Sequence, residues 1–113
     1  MPMSRNLAER LLPKLPAIAD HFGTPFHIYD EAGIKETGGR LKSAFSDLPE
    51  DWREDGPRTA FQEFFAVKAL PNPRILKIIR DLGFGFDCSS VPELVMARGA
   101  GASPEDIMFT SNN

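Results

Sequence analysis

From residue 59 onward the chain alternates short apolar runs with helix-period segments, and this alternation limits its fold more than any other feature. Thr59–Val67 is a nearly continuous apolar run with three phenylalanines, the pattern of a strand covered on both faces. Asn72-Pro73 then reads as an N-cap with proline at the first helical position. Ile75, Ile79 and Leu82 form one helix face, which Gly83 stops. A second unit follows: Phe84–Cys88 as a strand, Ser90-x-x-Glu93 as a capping box, Leu94 and Ala97 on the buried side, and Gly99 or Gly101 as the stop. Ser103–Asp106 is a polar turn leading into a third strand, Ile107–Thr110, and then Ser111-Asn112-Asn113. Three strands and two helices at spacings of about 20–25 residues predict a parallel sheet with right-handed crossovers. A doubly wound sheet and a (β/α)8 barrel both satisfy this pattern. A full barrel takes about 250 residues, so 113 residues are either a small open sheet or the front of something larger. A bare sheet edge is what natural proteins avoid, which favours the larger α/β protein.

Upstream, residues 6–22 read as a helix that Pro13 and Pro16 kink or split. Asn6 and Glu9 resemble a capping box at its start. Gly23-Thr24-Pro25 is a turn, and Phe26–Asp30 alternates apolar and polar like a half-buried strand with His27 outward. From Glu31 to Leu48 the stripe Ile34, Gly38, Leu41, Phe45, Leu48 marks an amphipathic helix. Gly38 and Gly39 each weaken it by about 1 kcal/mol relative to alanine, so tertiary packing must hold it. Residues 49–58 form a charged surface loop containing Trp52.

Composition excludes several functions. A net charge of −3 without a Lys/Arg cluster gives no footprint for nucleic acid. One cysteine, Cys88, makes neither an internal disulfide nor a cysteine-based zinc site, and it fits a reducing, cytoplasmic compartment. No metal site is expected, because His21 and His27 are the only histidines and lie in different local structures. The N-terminal leucines are broken up by Glu9, Arg10, Pro13, Lys14 and Pro16. No run approaches the roughly 20 apolar residues of a membrane helix, so a soluble protein without membrane contact is expected.

In parallel α/β folds, function gathers at the carboxyl ends of the strands. Here those ends read Lys68, then Asp87 with Ser89 and Ser90, then Asn112 and Asn113. An amine following Phe64-Phe65-Ala66-Val67 is either partly desolvated, and so available as a Schiff-base nucleophile, or a rim lysine whose ammonium stays in water. Asp87 is either a turn or helix-entry residue or the charge partner of that amine. Glu93 is explained by the capping box, and Cys88 by a small buried side chain. Gly83-Phe84-Gly85 opens like a dinucleotide fingerprint, but Cys88 stands where the third glycine belongs. His21 and His27 are structural or exposed.

The blocks Phe65-Ala66-Val67-Lys68-Ala69, Pro71-Asn72-Pro73, Asp87-Cys88-Ser89-Ser90 with Glu93, Asp106-Ile107-Met108-Phe109 and Asn112-Asn113 together resemble the fold type III pyridoxal-phosphate decarboxylases. That group includes the diaminopimelate, ornithine and arginine decarboxylases. Gly23–Asp30 resembles the family's lead-in strand. Two features depart from the family pattern: Leu70 stands where asparagine is common, and the 49–58 loop is long. Neither touches the lysine.

The resemblance implies the first part of an alanine-racemase-like (β/α)8 barrel. Residues 1–30 would be an N-terminal helix and the lead-in strand of a second, β-rich domain; residues 31–113 would be the first strand–helix units of the barrel. It implies pyridoxal 5'-phosphate as cofactor, bound covalently at Lys68 with Asp87 as a neighbouring carboxylate. The expected reaction is decarboxylation of a small amino acid by a homodimer. The Asn112-Asn113 ending and the 24–30 opening look more like diaminopimelate decarboxylase, which makes lysine. Ornithine, arginine and carboxynorspermidine decarboxylases, or a non-enzymatic pyridoxal-phosphate carrier, are the alternatives. Alanine racemase shares the fold type, but the Asp87–Glu93 block argues against it. The family's other active-site motifs fall beyond residue 113, so this segment alone is expected to be inactive.

Overall fold

The computed structural model of the chain describes residues 3–45 and 61–110. The expected 49–58 loop, Trp52, the start of the Thr59–Val67 run and Asn112-Asn113 lie outside them. The backbone divides into two compact units, Met1–Gly33 and Ile34–Asn113.

The first unit holds α1 (Arg5–Leu11), a 3-10 turn at Leu12–Lys14, and α2 (Leu15–Phe22). The two prolines split the predicted helix because neither can donate a backbone hydrogen bond to the turn before it. The start differs from the expected capping box. Ser4 is the N-cap, its hydroxyl accepting from the Leu7 N–H at 3.2 Å. Asn6 falls inside the helix, and Glu9 pairs with Arg5 across one exposed turn at 3.4 Å. Gly23 closes α2 at φ +75°.

Phe26–Asp30, expected as a strand, has no regular secondary structure. The alternation is present in the sequence, but a strand exists only through ladder bonds to a neighbour, and none forms among the described residues. His27 is exposed, as expected, and Asp30 forms an ion pair with Arg10.

Helix α3 spans Glu31–Ala44. Within the second unit its predicted stripe packs inward: Ile34 and Leu41 lie against the core, and Gly38 is buried. A Cβ on Gly38 would come within 2.5 Å of Leu82 Cδ1, so this glycine gives up helix propensity for a close approach. Lys42 Nζ donates to the Leu82 carbonyl at 2.9 Å, satisfying the end of the next helix. Phe45 stacks on Phe61 with ring centroids 4.3 Å apart.

Strands β1 (Phe64–Ala66), β2 (Gly85–Cys88) and β3 (Ile107–Phe109) form a parallel sheet in the order β1-β2-β3. Helix α4 (Pro73–Asp81) connects the first pair and α5 (Val91–Gly99) the second. Asn72 caps α4 as expected, its Oδ1 accepting from the Arg74 N–H at 3.0 Å and the Ile75 N–H at 3.2 Å. Gly83 follows the helix end at φ +80°, a left-handed conformation that only glycine adopts freely.

The core is built from one sheet face and the helices. Val67, Leu76, Phe86, Cys88 and Ala97 have no exposed surface, and Ile75, Ile78, Ile79 and Phe84 are nearly as buried. Side chains alternate along a strand. Phe86 and Cys88 therefore point into the core, while Asp87 lies on the opposite face in register with Ala66 and Met108. That face is less covered than the apolar run predicts: Phe64 and Ala66 are half-buried, and Met108 is 46% exposed.

Candidate functional site

Three strand ends bring the chemistry to one edge. After β1, Val67 plugs the core and the backbone turns at once into a 3-10 turn, Val67–Ala69, closed by the Leu70 N–H donating to the Val67 carbonyl at 3.2 Å. Lys68 rides on this turn at the carboxyl edge of the sheet and is exposed. Of the two readings of this lysine, the exposure matches the rim lysine whose ammonium stays in water, and not the partly desolvated amine. The run's last buried side chain is Val67, and the turn lifts the next residue out of the core.

Asp87 is half-buried in the central strand, in register with Ala66 on β1. It serves as neither turn nor cap. Its Oδ1 accepts a 2.6 Å hydrogen bond from the hydroxyl of Thr110, the residue that follows β3. Thr110 is itself tied to the ladder, its N–H donating to the Cys88 carbonyl at 2.9 Å.

Glu93, in the first turn of α5, reaches back toward the edge. One oxygen accepts from the Ser90 hydroxyl at 2.8 Å and from the Ser89 hydroxyl at 3.2 Å; the other accepts from the Ser89 N–H at 3.1 Å. Neither reciprocal bond of the predicted capping box forms: Glu93 reaches one residue further back, to the Ser89 N–H, and not to the N–H of the N-cap Ser90. Ser90 is the N-cap of α5, yet its hydroxyl donates to the carboxylate instead of accepting from the helix, because a charged acceptor makes the stronger bond. The Ser90 hydroxyl foremost, then the Ser89 N–H, hold the Glu93 carboxyl below its ordinary pKa against the opposing effect of burial. The Ser89 hydroxyl and the positive charge of Lys68 add to the lowering.

Cys88 is fully buried. Burial first, then the negative charges of Glu93 and Asp87, push its thiol above the usual range, which leaves it neutral and a packing residue. His21 and His27 lie in the first unit, both exposed.

Sequence reasoning placed Lys68 and Asp87 on this edge, explained Glu93 better by a cap than by the site, and overlooked Thr110. Continuing the alternation Ile107, Met108, Phe109 by one residue puts Thr110 on the Asp87 face. Only the strand register turns that into a contact.

An accessible primary amine with carboxylates on the same edge suits a cofactor with a reactive carbonyl, which the amine would hold by condensation with loss of water while the carboxylates face the nitrogen. The fold and this edge define a parallel α/β protein built to present a lysine at the carboxyl ends of its strands. Residues 43–113 match the pyridoxal binding domain of the pyridoxal-dependent decarboxylases, and the chain belongs to that family. Its sheet is the N-terminal part of the fold type III barrel, and the cofactor is pyridoxal phosphate.

Protein TabA of Pseudomonas amygdali pv. tabaci is 45% identical over 113 residues, covering 100% of this chain and 24% of TabA. A diaminopimelate decarboxylase from Methanothermobacter thermautotrophicus is 38% identical over 96 residues, 85% of this chain and 20% of that protein. Among solved structures, ornithine decarboxylase from Entamoeba histolytica superposes with a TM-score of 0.66 at 28% identity, covering 94% of this chain and 29% of that one. The chain thus spans about a quarter of the length of the proteins it resembles.

Proposed function

We propose that the protein decarboxylates an amino acid with pyridoxal phosphate, that Lys68 is the residue bonded to the cofactor, and that Asp87 is the carboxylate beside it. The observation that carries this reading is the exposed Lys68 at the carboxyl edge of the sheet, with Asp87 one strand away and Glu93 close enough for their charges to interact. When bound, pyridoxal phosphate supplies the electron sink that lets a carboxylate leave as carbon dioxide. The chain's own residues do the rest. Lys68, free of the core, would hold the cofactor through its amine, which condenses with a carbonyl with loss of water and would be freed again when the substrate amine replaces it. Asp87 and Glu93 hold negative charge on the edge where that ammonium and the substrate's own ammonium must sit.

Diaminopimelate is the proposed substrate, supported by the resemblance to diaminopimelate decarboxylase. Ornithine is the second reading, supported by the structural likeness to ornithine decarboxylase. A homodimeric, cytoplasmic working form and the assignment of residues 1–30 to a second, β-rich domain belong to the same proposal. No described helix is long and apolar enough to cross a membrane.

Borohydride trapping of the pyridoxal-phosphate-loaded protein, followed by peptide mapping, tests the assignment. The pyridoxyl label should fall on Lys68. Lys68→Ala should abolish both label and turnover while leaving the circular dichroism spectrum unchanged, since the side chain lies outside the core. A label on another lysine overturns the assignment. Carbon dioxide release from carboxyl-labelled diaminopimelate and ornithine then decides the substrate, and cofactor binding without release from any amino acid identifies a carrier.

A further inference from the structure

We infer that Thr110 is a positioning residue that fixes the Asp87 carboxylate in one orientation at the carboxyl edge. The inference deepens the proposed function and rests on that reading for its consequence, though the contact itself does not.

Two independent restraints meet at Thr110. Its backbone N–H donates to the Cys88 carbonyl at 2.9 Å, extending the β2–β3 ladder one step past Phe109. Its hydroxyl donates to Asp87 Oδ1 at 2.6 Å, within the short range of hydroxyl-to-carboxylate bonds. The ladder bond sets where Cβ points, and branching at Cβ limits the rotamers left to the hydroxyl. Asp87 sits in β2 between Phe86 and Cys88, both fully buried in the core.

With Oδ1 taken, Oδ2 makes no hydrogen bond among the described residues and stays free for a cation at the edge. Lys68 and Glu93 are the other charged groups gathered there. An aspartate without Thr110 would sample several rotamers about an exposed edge. Its charge would then be spread over positions that serve no single partner, because the value of a preorganised group lies in its fixed geometry.

The sharpest substitution is Thr110→Val, which keeps shape and strand preference and removes only the hydroxyl; Thr110→Ser keeps the hydroxyl. Scalar couplings about χ1 of Asp87, measured by NMR without cofactor, should report one rotamer in the parent and in Thr110→Ser, and averaging in Thr110→Val. In an absorbance titration with pyridoxal phosphate, Thr110→Val should bind about three- to tenfold more weakly, the loss of one modest hydrogen bond. Thr110→Ser should restore most of the affinity. Melting temperatures should agree within a few degrees, because Thr110 is exposed. In an Asp87→Ala background, which removes the acceptor, the Thr110→Val effect should shrink, as expected for residues acting through one contact. Averaged Asp87 couplings in the parent, unchanged couplings in Thr110→Val, or full additivity with Asp87→Ala would each overturn the inference. Failure of Lys68 to take the label would overturn the functional reading separately, while the NMR result would still decide the contact.

Discussion

Gly85 shows how one residue can tie the sheet to its site. It opens β2, and a Cβ built there would lie 2.7 Å from the Asp106 carbonyl oxygen and 2.7 Å from the Cδ1 and Cε1 atoms of Phe64. Unlike the tip of Leu82 over Gly38, the Asp106 carbonyl is backbone and cannot swing aside. Gly85→Ala should therefore destabilise the protein by about 1–3 kcal/mol, the usual cost of forcing atoms into a packed site. Urea denaturation measures it; an unchanged midpoint would show that β1 and the turn before β3 yield more easily than this contact implies. The sequence marked Gly85 only as part of a failed dinucleotide fingerprint, since nothing local says that a phenyl ring from a strand 21 residues earlier covers it. Lys68 was found from its place after an apolar run, but the choice between a rim lysine and a desolvated one depends on where the backbone turns, which the structure shows and the run does not.

At the scale of elements, the helices were the legible part. Helix α4 carries Ile75, Leu76, Ile78 and Ile79 into the core, and its start depends on Asn72, whose Oδ1 satisfies two otherwise unpaired N–H groups. Asn72→Ala should cost about 1 kcal/mol. Thermal unfolding should show a fall in melting temperature of several degrees, and Asn72→Asp, which preserves the acceptor, should recover most of it. The same reasoning failed at α1, where Asn6-x-x-Glu9 and Ser4 both offer start signals and only the chain path selects Ser4. Strands were located but drawn too long. A run of apolar residues says that a segment is buried, whereas its ladder ends where the partner ends. β1 thus covers three residues of the longer run, and Phe26–Asp30 pairs with no strand among the described residues.

For the whole molecule, Glu93 links the edge to stability. Its folded pKa lies below the ordinary 4.5. The bonds from Ser89 and Ser90 therefore stabilise the fold fully above that value and are progressively lost as pH falls through the lower folded pKa. Stability should be level near neutrality and decline below about pH 4.5, and Glu93→Gln should be less stable near neutrality with a shallower acid decline. Urea unfolding between about pH 3 and about pH 7 checks this; identical slopes for parent and Glu93→Gln would place the acid response in other carboxylates. What the amino-acid order determined by itself is what neighbours within a turn or two decide: the proline-split N-terminal helix, the Asn72-Pro73 start, the glycine stops, the alternation of strand with helix, and the placing of Lys68 and Asp87 at strand ends. What tertiary structure alone decided is everything that crosses between strands. The Thr110 hydroxyl reaches Asp87 across 23 residues, Gly85 lies beneath Phe64, and Glu93 shares an edge with Lys68. Register is the physical reason: a shift of one residue in pairing turns each side chain to the opposite face, and packing of the helices against Phe86 and Cys88 sets that register.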